Sequence, residues 1–238
     1  MIEVKNMSIH IGHRQRLKDR FRAEGLDHFD ERHVLELLLF YAIPQRDTAP
    51  LARELLDHFG SLSQVLDASA AELEKVNGVG SNVSTLLTLI TQISRYYLVQ
   101  RTSNITILNT TELCGQYLMQ HFHGRRNETV FVLCLDAKCK VLCCKEVGEG
   151  SVNSANIPIR RIVEIALSVN ATTVILAHNH PSGLAIPSCE DIMTTKRVAL
   201  ALDAVEICLA DHIVVADDDF VSLADSGKFD PGVRRVIL

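Results

Sequence analysis

The stretch from Thr172 to Asp191 leaves the backbone little freedom. Thr172-Thr173-Val174-Ile175-Leu176-Ala177 is a short, continuous apolar run rich in β-branched residues, the composition of a buried strand. His178-Asn179-His180 follows directly, and since side chains alternate along an extended backbone the two imidazoles share one side. Pro181 holds His180 out of the helical region, and Gly183 allows a sharp turn. Ser188, after Pro187, reads as the N-cap of an amphipathic helix from Cys189 to about Leu202. Asp191 then falls in the first helical turn, so a strand end and a helix start converge.

Two imidazoles one residue apart, then a carboxylate after ten intervening residues, match the donor set of a three-ligand zinc site with one open position. Each piece has a plainer reading. A histidine after a strand is commonly a surface or core residue, and Ser-x-x-Asp is an ordinary capping pattern. The conjunction carries the argument, and the chain holds its own control. His121-Phe122-His123 is also His-x-His, but Cys134 stands at the corresponding carboxylate position, so that pair reads as a helix-end surface feature.

His178-x-His180, seven residues, Ser188, two residues and Asp191 resembles the motif of the JAB/JAMM (MPN) metallohydrolases. His178-Asn179-His180-Pro181-Ser182-Gly183 is similar to the bacterial RadC branch, as is Asp211-His212-Ile213-Val214-Val215, and the resemblance covers nearly the whole chain. It implies a JAB/MPN-type (cytidine-deaminase-like) mixed β-sheet flanked by helices. It also implies one Zn2+ per chain on His178, His180 and Asp191, and hydrolysis of amide bonds in a peptide or protein, as by a metallopeptidase or isopeptidase. In such enzymes a glutamate outside the coordination shell, at the start of an early strand, is the general base, and Glu128 matches it. Ser188 resembles the serine that hydrogen-bonds the developing oxyanion. On the residues alone Glu128 is also a polar strand-start residue, Ser188 is also a cap, and Glu146, Glu149 and Glu164 compete for the base's role. One departure stands out: RadC-like chains usually carry Arg-Glu where this one has Arg160-Arg161.

Glu128 to Asp136 and Lys140 to Val147 read as a hairpin, Ile159 to Val169 as a helix, and Thr110 or Thr111 opens a helix to about His121. Val205 to Leu209, His212 to Ala216 and Phe220 to Leu223 read as three further strands around an Asp217-Asp218-Asp219 turn. The fold class expected is an all-α N-terminal domain followed by a mixed, mostly antiparallel α+β domain. Cys134, Cys139, Cys143 and Cys144 fall in the hairpin without the paired Cys-x-x-Cys spacing of structural zinc, and read as small buried hydrophobes.

Residues 13–99 read as helices. Leu17 and Phe21 form an apolar face of the first, beside a basic row of Arg14, Lys18 and Arg22; Asp30 and Asp47 cap the next two, and Ser69-Ala70-Ala71-Glu72 is a capping box. Gly78-Val79-Gly80 then precedes a long apolar helix from Ser81 to about Val99. Helix, Gly-Val-Gly, helix resembles the helix-hairpin-helix module of DNA repair proteins, in which N–H groups at a helix start meet phosphates. Here Val83 and Ser84 stand where a basic residue and a small alanine are common. The polar segment 100–109 separates the halves, giving a helical domain 1–99, a linker 100–109 and a metal-binding domain 110–238.

Charge limits the partners. The net charge is −5; residues 1–99 hold 11 basic and 13 acidic groups and residues 100–238 hold 13 and 16. Neither half has the basic excess of a tight nucleic-acid binder, so the expectation is weak, non-specific DNA binding through Gly78 and Gly80. A DNA repair or recombination accessory factor, with a metal site that is structural or acts on nucleic acid, is the second reading. No run of 18 apolar residues offers a membrane span, the first residues lack a signal pattern, and seven cysteines suit reduced thiols, so a cytoplasmic protein is expected. The oligomeric state stays open, a homodimer included.

Overall fold

The computed structural model describes residues 2–102, 107–150, 157–181 and 183–231. Ser182 of the histidine motif and residues 103–106 of the expected linker lie outside them. The chain divides into two compact units, Met1–Ile93 and Ser94–Leu238.

The first unit is helical: α1 (Ile2–Glu24), α2 (Glu31–Ala42), α3 (Ala49–Phe59), α4 (Leu62–Asp67), α5 (Ala70–Leu73) and the start of α6 (Ser81–Thr102). Its core gathers one stripe from each of α2 to α6, including Leu35, Leu39, Leu55, Val65, Leu73 and Leu87. Asp30 caps α2 by accepting the His33 N–H, and Ser69 with Glu72 closes the expected capping box. The cap of α3 moves one residue, to Thr48, while Asp47 accepts the N–H of Ala49. Phe21 is exposed rather than sharing the burial of Leu17.

Two members of the basic row are engaged within the unit. The Arg14 guanidinium donates to the carbonyls of Ile43, Pro44 and Arg46 at the end of α2, and Lys18 lies over the Tyr41 ring. Before α6, Gly78 has φ +90°, open to glycine at little cost, but α5 is a single turn. Val83 and Ser84 are buried, and the Ser84 hydroxyl reaches Glu74 at 2.7 Å. Gln100, Arg101 and Thr102 continue α6 instead of opening a linker, and Ile107 bridges to Lys140.

The second unit is a five-stranded sheet in the order β2-β1-β3-β4-β5, made of β1 (Thr129–Leu135), β2 (Val141–Glu149), β3 (Thr173–Asn179), β4 (Cys208–Ala216) and β5 (Asp219–Ser222). Only β3 and β4 are parallel, as the crossover through α9 (Cys189–Asp203) requires. The sheet is mixed and mostly antiparallel, as expected. One face packs on α8 (Ile159–Ser168) and α9 through Val132, Leu176, Val214, Ile162, Val198 and Leu202. The other packs on α7 (Thr111–Phe122) through Leu118, Phe122, Phe131, Leu133 and Ile213.

The two strands expected over 205–209 and 212–216 are a single strand. Its register against β3 slips by one residue, from Val174↔Leu209 to Ile175↔Asp211, leaving Ala210 as the extra residue. Such a slip exchanges the faces of everything beyond it. Leu209 therefore faces α8 and α9, yet Ile213 faces α7, and His212 turns with Val214 toward α9.

Candidate metal centre

β3 extends through His178 and Asn179, and the sheet places both before any ligand is considered. His178 is paired with Val130 of β1 on one side and Val214 of β4 on the other, which puts its ring on the α8/α9 face. The His180 N–H donates to the Val215 carbonyl at 2.8 Å, so the second histidine is still held by β4 past the end of β3. From the helix side, Ser188 caps α9 and Asp191 closes the box: the Ser188 hydroxyl and N–H both donate to Asp191 Oδ2 at 2.7 Å, and the Asp191 N–H returns to Ser188 Oγ at 3.1 Å. The capping pattern and the carboxylate's orientation are thus the same set of bonds. In this arrangement the single hydroxyl proton of Ser188 holds Asp191.

The three side chains converge. His178 Nε2 lies 2.9 Å from His180 Nε2 and 3.2 Å from Asp191 Oδ1, and His180 Nε2 lies 3.7 Å from Asp191 Oδ2. Zinc bonds of about 2.0–2.1 Å in a tetrahedral array set neighbouring donors about 3.3 Å apart, which these separations bracket. His180 Nδ1 is 3.0 Å from the Leu184 carbonyl, which can only accept, so Nδ1 carries the proton and Nε2 presents its lone pair inward. A lone pair and a carboxylate aimed at one point suit a cation. Burial pushes the pKa of His178 down to about 4, leaving that ring neutral and able to ligate near pH 7. Among the described residues this is the one group of three His, Cys, Asp or Glu side chains close enough to share an ion.

The remaining sequence candidates separate clearly. Continuing the β1–β3 register past Val130↔His178 sets Glu128 across from His180, and its charge is one of those acting on His178. The Glu128 carbonyl accepts the Gly150 N–H, which anchors the backbone there. The competing glutamates are engaged elsewhere: Glu146 pairs with Arg125 at 2.7 Å, Glu149 accepts from Asn127, and Glu164 pairs with Arg160 on the exposed side of α8. The control pair ends α7, with His121 half-buried against Tyr117 and Phe131 and His123 exposed. The cysteines are free, and burial pushes the Cys134 and Cys144 thiols up, away from the thiolate a metal needs.

Several residues escaped sequence reasoning. Asn179, between the histidines and on the opposite face, accepts the Thr129 N–H at 2.7 Å and donates to the Asn127 carbonyl at 3.2 Å, clasping the backbone on both sides of Glu128. His212 of β4 touches His178, and Thr195 of α9 touches His212. His212 had two advance signals, the RadC-like segment Asp211 to Val215 and a polar pair inside an apolar stretch, but neither gave it a role at the site.

Comparison with known proteins agrees with this geometry. Residues 108–228 match the profile of the RadC-like JAB domain. A UPF0758 protein of Paraburkholderia phytofirmans is 34% identical over 210 residues, covering 88% of this chain and 81% of the relative. Another from Paraburkholderia xenovorans is 33% identical, over 88% and 83% of the two chains. A third, from Fusobacterium nucleatum subsp. nucleatum, is 31% identical over 223 residues, 91% of this chain and 96% of the relative.

Proposed function

This chain belongs to the RadC-like JAB domain family, and from that premise we propose that its second unit is a zinc-dependent hydrolase of amide bonds in peptides or proteins. The supporting observation is the convergence of His178 Nε2, His180 Nε2 and an Asp191 carboxylate, with Glu128 directly before β1 and close enough for its charge to act on His178. His178, His180 and Asp191 would hold the ion. Zinc in such a site supplies Lewis acidity and lowers the pKa of its water to about 7.

The protein's own groups do the rest. Glu128 takes the proton of the attacking water and returns it to the leaving nitrogen, which must depart as an amine. Its backbone, held by the Gly150 N–H and by the Asn179 clasp on either side, fixes the point from which that side chain reaches the site. Ser188 holds Asp191 in the resting arrangement; if its hydroxyl rotates away from Oδ2, it can donate to the oxyanion that forms on the scissile carbonyl.

The test is Glu128→Gln in the full chain, assayed on a peptide library and for bound zinc. Hydrolysis should fall ~10²–10⁴-fold with zinc retained, because the amide cannot carry the proton. Unchanged turnover would remove Glu128 from the mechanism.

A second reading rests on the glycine turn before α6: the first N–H groups of a helix have no partner within it, and the space beside Gly80 is open, so a phosphate can approach there. On that reading the first unit binds DNA weakly and without sequence preference, bringing the hydrolase to substrates there.

A further inference from the structure

We infer that Thr195 and His212 are positioning residues that set the tautomer of His178, holding its proton on Nδ1 so that Nε2 faces the metal position as a bare lone pair. The inference rests on the metal centre proposed above and adds two residues to it.

Thr195 Oγ1 lies 2.6 Å from the Asp191 carbonyl, which can only accept, so the one hydroxyl proton goes there. The same oxygen lies 2.6 Å from His212 Nδ1, and with its proton committed it must accept from that nitrogen. His212 is 1% exposed and its ring meets Thr195 and His178, neither of them an anion, so a charged imidazolium would be buried without a counter-ion; the ring carries one proton, on Nδ1, and Nε2 is a lone pair. That lone pair is 2.8 Å from His178 Nδ1, which therefore donates. His178 Nε2 is left without a proton, 2.9 Å from His180 Nε2 and 3.2 Å from the Asp191 carboxylate.

The direction of this chain follows from its first member. A carbonyl cannot donate, so every later bond has one polarity, and a ring nitrogen's protonation is set by the bond its partner nitrogen makes. The relay starts on the backbone of one ligand, Asp191, and ends on the ring of another, His178, bracing α9 to β3 through β4. Two features aim His212 into it. The slip at Ala210 turns it to the α9 face, and the buried Asp211 carboxylate accepts the His212 N–H at 2.7 Å, the Ala224 N–H at 3.0 Å and the Ser222 hydroxyl at 2.5 Å.

The test has a spectroscopic arm and a binding arm, both on the full chain. In metal-free protein, ¹⁵N shifts of the imidazole nitrogens should show protonated Nδ1 and bare Nε2 on both His178 and His212. Zinc affinity, by competition with a chromophoric chelator, should fall ~10–100-fold in His212→Leu, as for other outer-shell partners of metal ligands. His212→Gln offers an amide oxygen to His178 and an amide N–H to Thr195, and should recover most of that loss. Thr195→Val removes the acceptor of His212 and should return His178 to a mixture of tautomers, which decides the matter if His212→Leu fails to fold. Protonated Nε2 on wild-type His178, or undiminished zinc affinity in a folded His212→Leu protein, would overturn the relay. Failure of the wild-type chain to bind zinc would instead refute the metal centre, while the tautomer measurement would still decide the relay.

Discussion

Asn179→Ala should cost more stability than its small volume suggests. Its side chain accepts from the Thr129 N–H at 2.7 Å and donates to the Asn127 carbonyl at 3.2 Å, and Thr129 is fully buried. Alanine leaves the Thr129 N–H without a partner in a place water does not reach, which costs about 1–3 kcal/mol; losing the second, half-buried bond adds about 0.5–1.5 kcal/mol. The sum, roughly 2–4 kcal/mol, corresponds to a fall in Tm of roughly 5–15 °C at about 2–4 °C per kcal/mol. Calorimetry should be run on metal-free protein, because a bound ion stabilises the folded state by mass action and would mask part of the loss. Since Glu128 lies between the two clasped peptides, the same substitution should lower kcat more than it weakens zinc binding. A Tm within about 1 °C of wild type would refute this account, because it would require that water or another acceptor takes up the Thr129 N–H.

The other predictions are more direct. Metal analysis should find one zinc per wild-type chain and none in the double variant His178→Ala/His180→Ala; full occupancy in that variant would refute the site. DNA binding, measured by fluorescence anisotropy across salt concentrations, should be weak with a shallow slope, since each neutralised phosphate contributes roughly −0.9 to log affinity against log salt and Arg14 and Lys18 are engaged within their own unit. Replacing Gly78 and Gly80 by bulkier residues should abolish it, and tight binding with a steep slope in the wild-type chain would show that folding assembles a basic surface the charge count misses. Gly115→Ala in α7 should destabilise by about 1 kcal/mol net: the new Cβ would sit 2.4 Å from the Phe220 ring, an overpacking cost of about 1–3 kcal/mol against the ~1 kcal/mol helix gain of alanine over glycine. A more stable variant would show that Phe220 moves freely.

What could be read from the residues alone was local. The capping box at Ser188 and Asp191 spans one helical turn, and His178 and His180 need only the alternation of a strand, so ligand spacing and ligand geometry are nearly the same information. The helices of the first unit and the mixed sheet of the second follow from periodicity and caps in the same way. Parts that depend on partners far along the chain were not legible. Asp211-His212 interrupts an apolar pattern and reads as a break between strands; it lies inside one strand because Ser222, Ala224, Thr195 and His178, drawn from three other elements and a turn, satisfy its polar atoms. Asn179 reads as a spacer between histidines until β1 pairs with β3 and sets the Thr129 N–H against it. The basic row of α1 has no partners that the sequence can name until the end of α2 takes up Arg14 and the Tyr41 ring takes up Lys18. The donor set was therefore written in the sequence, whereas the groups that orient it exist only once β4, with its slip at Ala210, lies beside β3 under α9, because a buried hydrogen bond is specified by both of its ends and only folding brings them together.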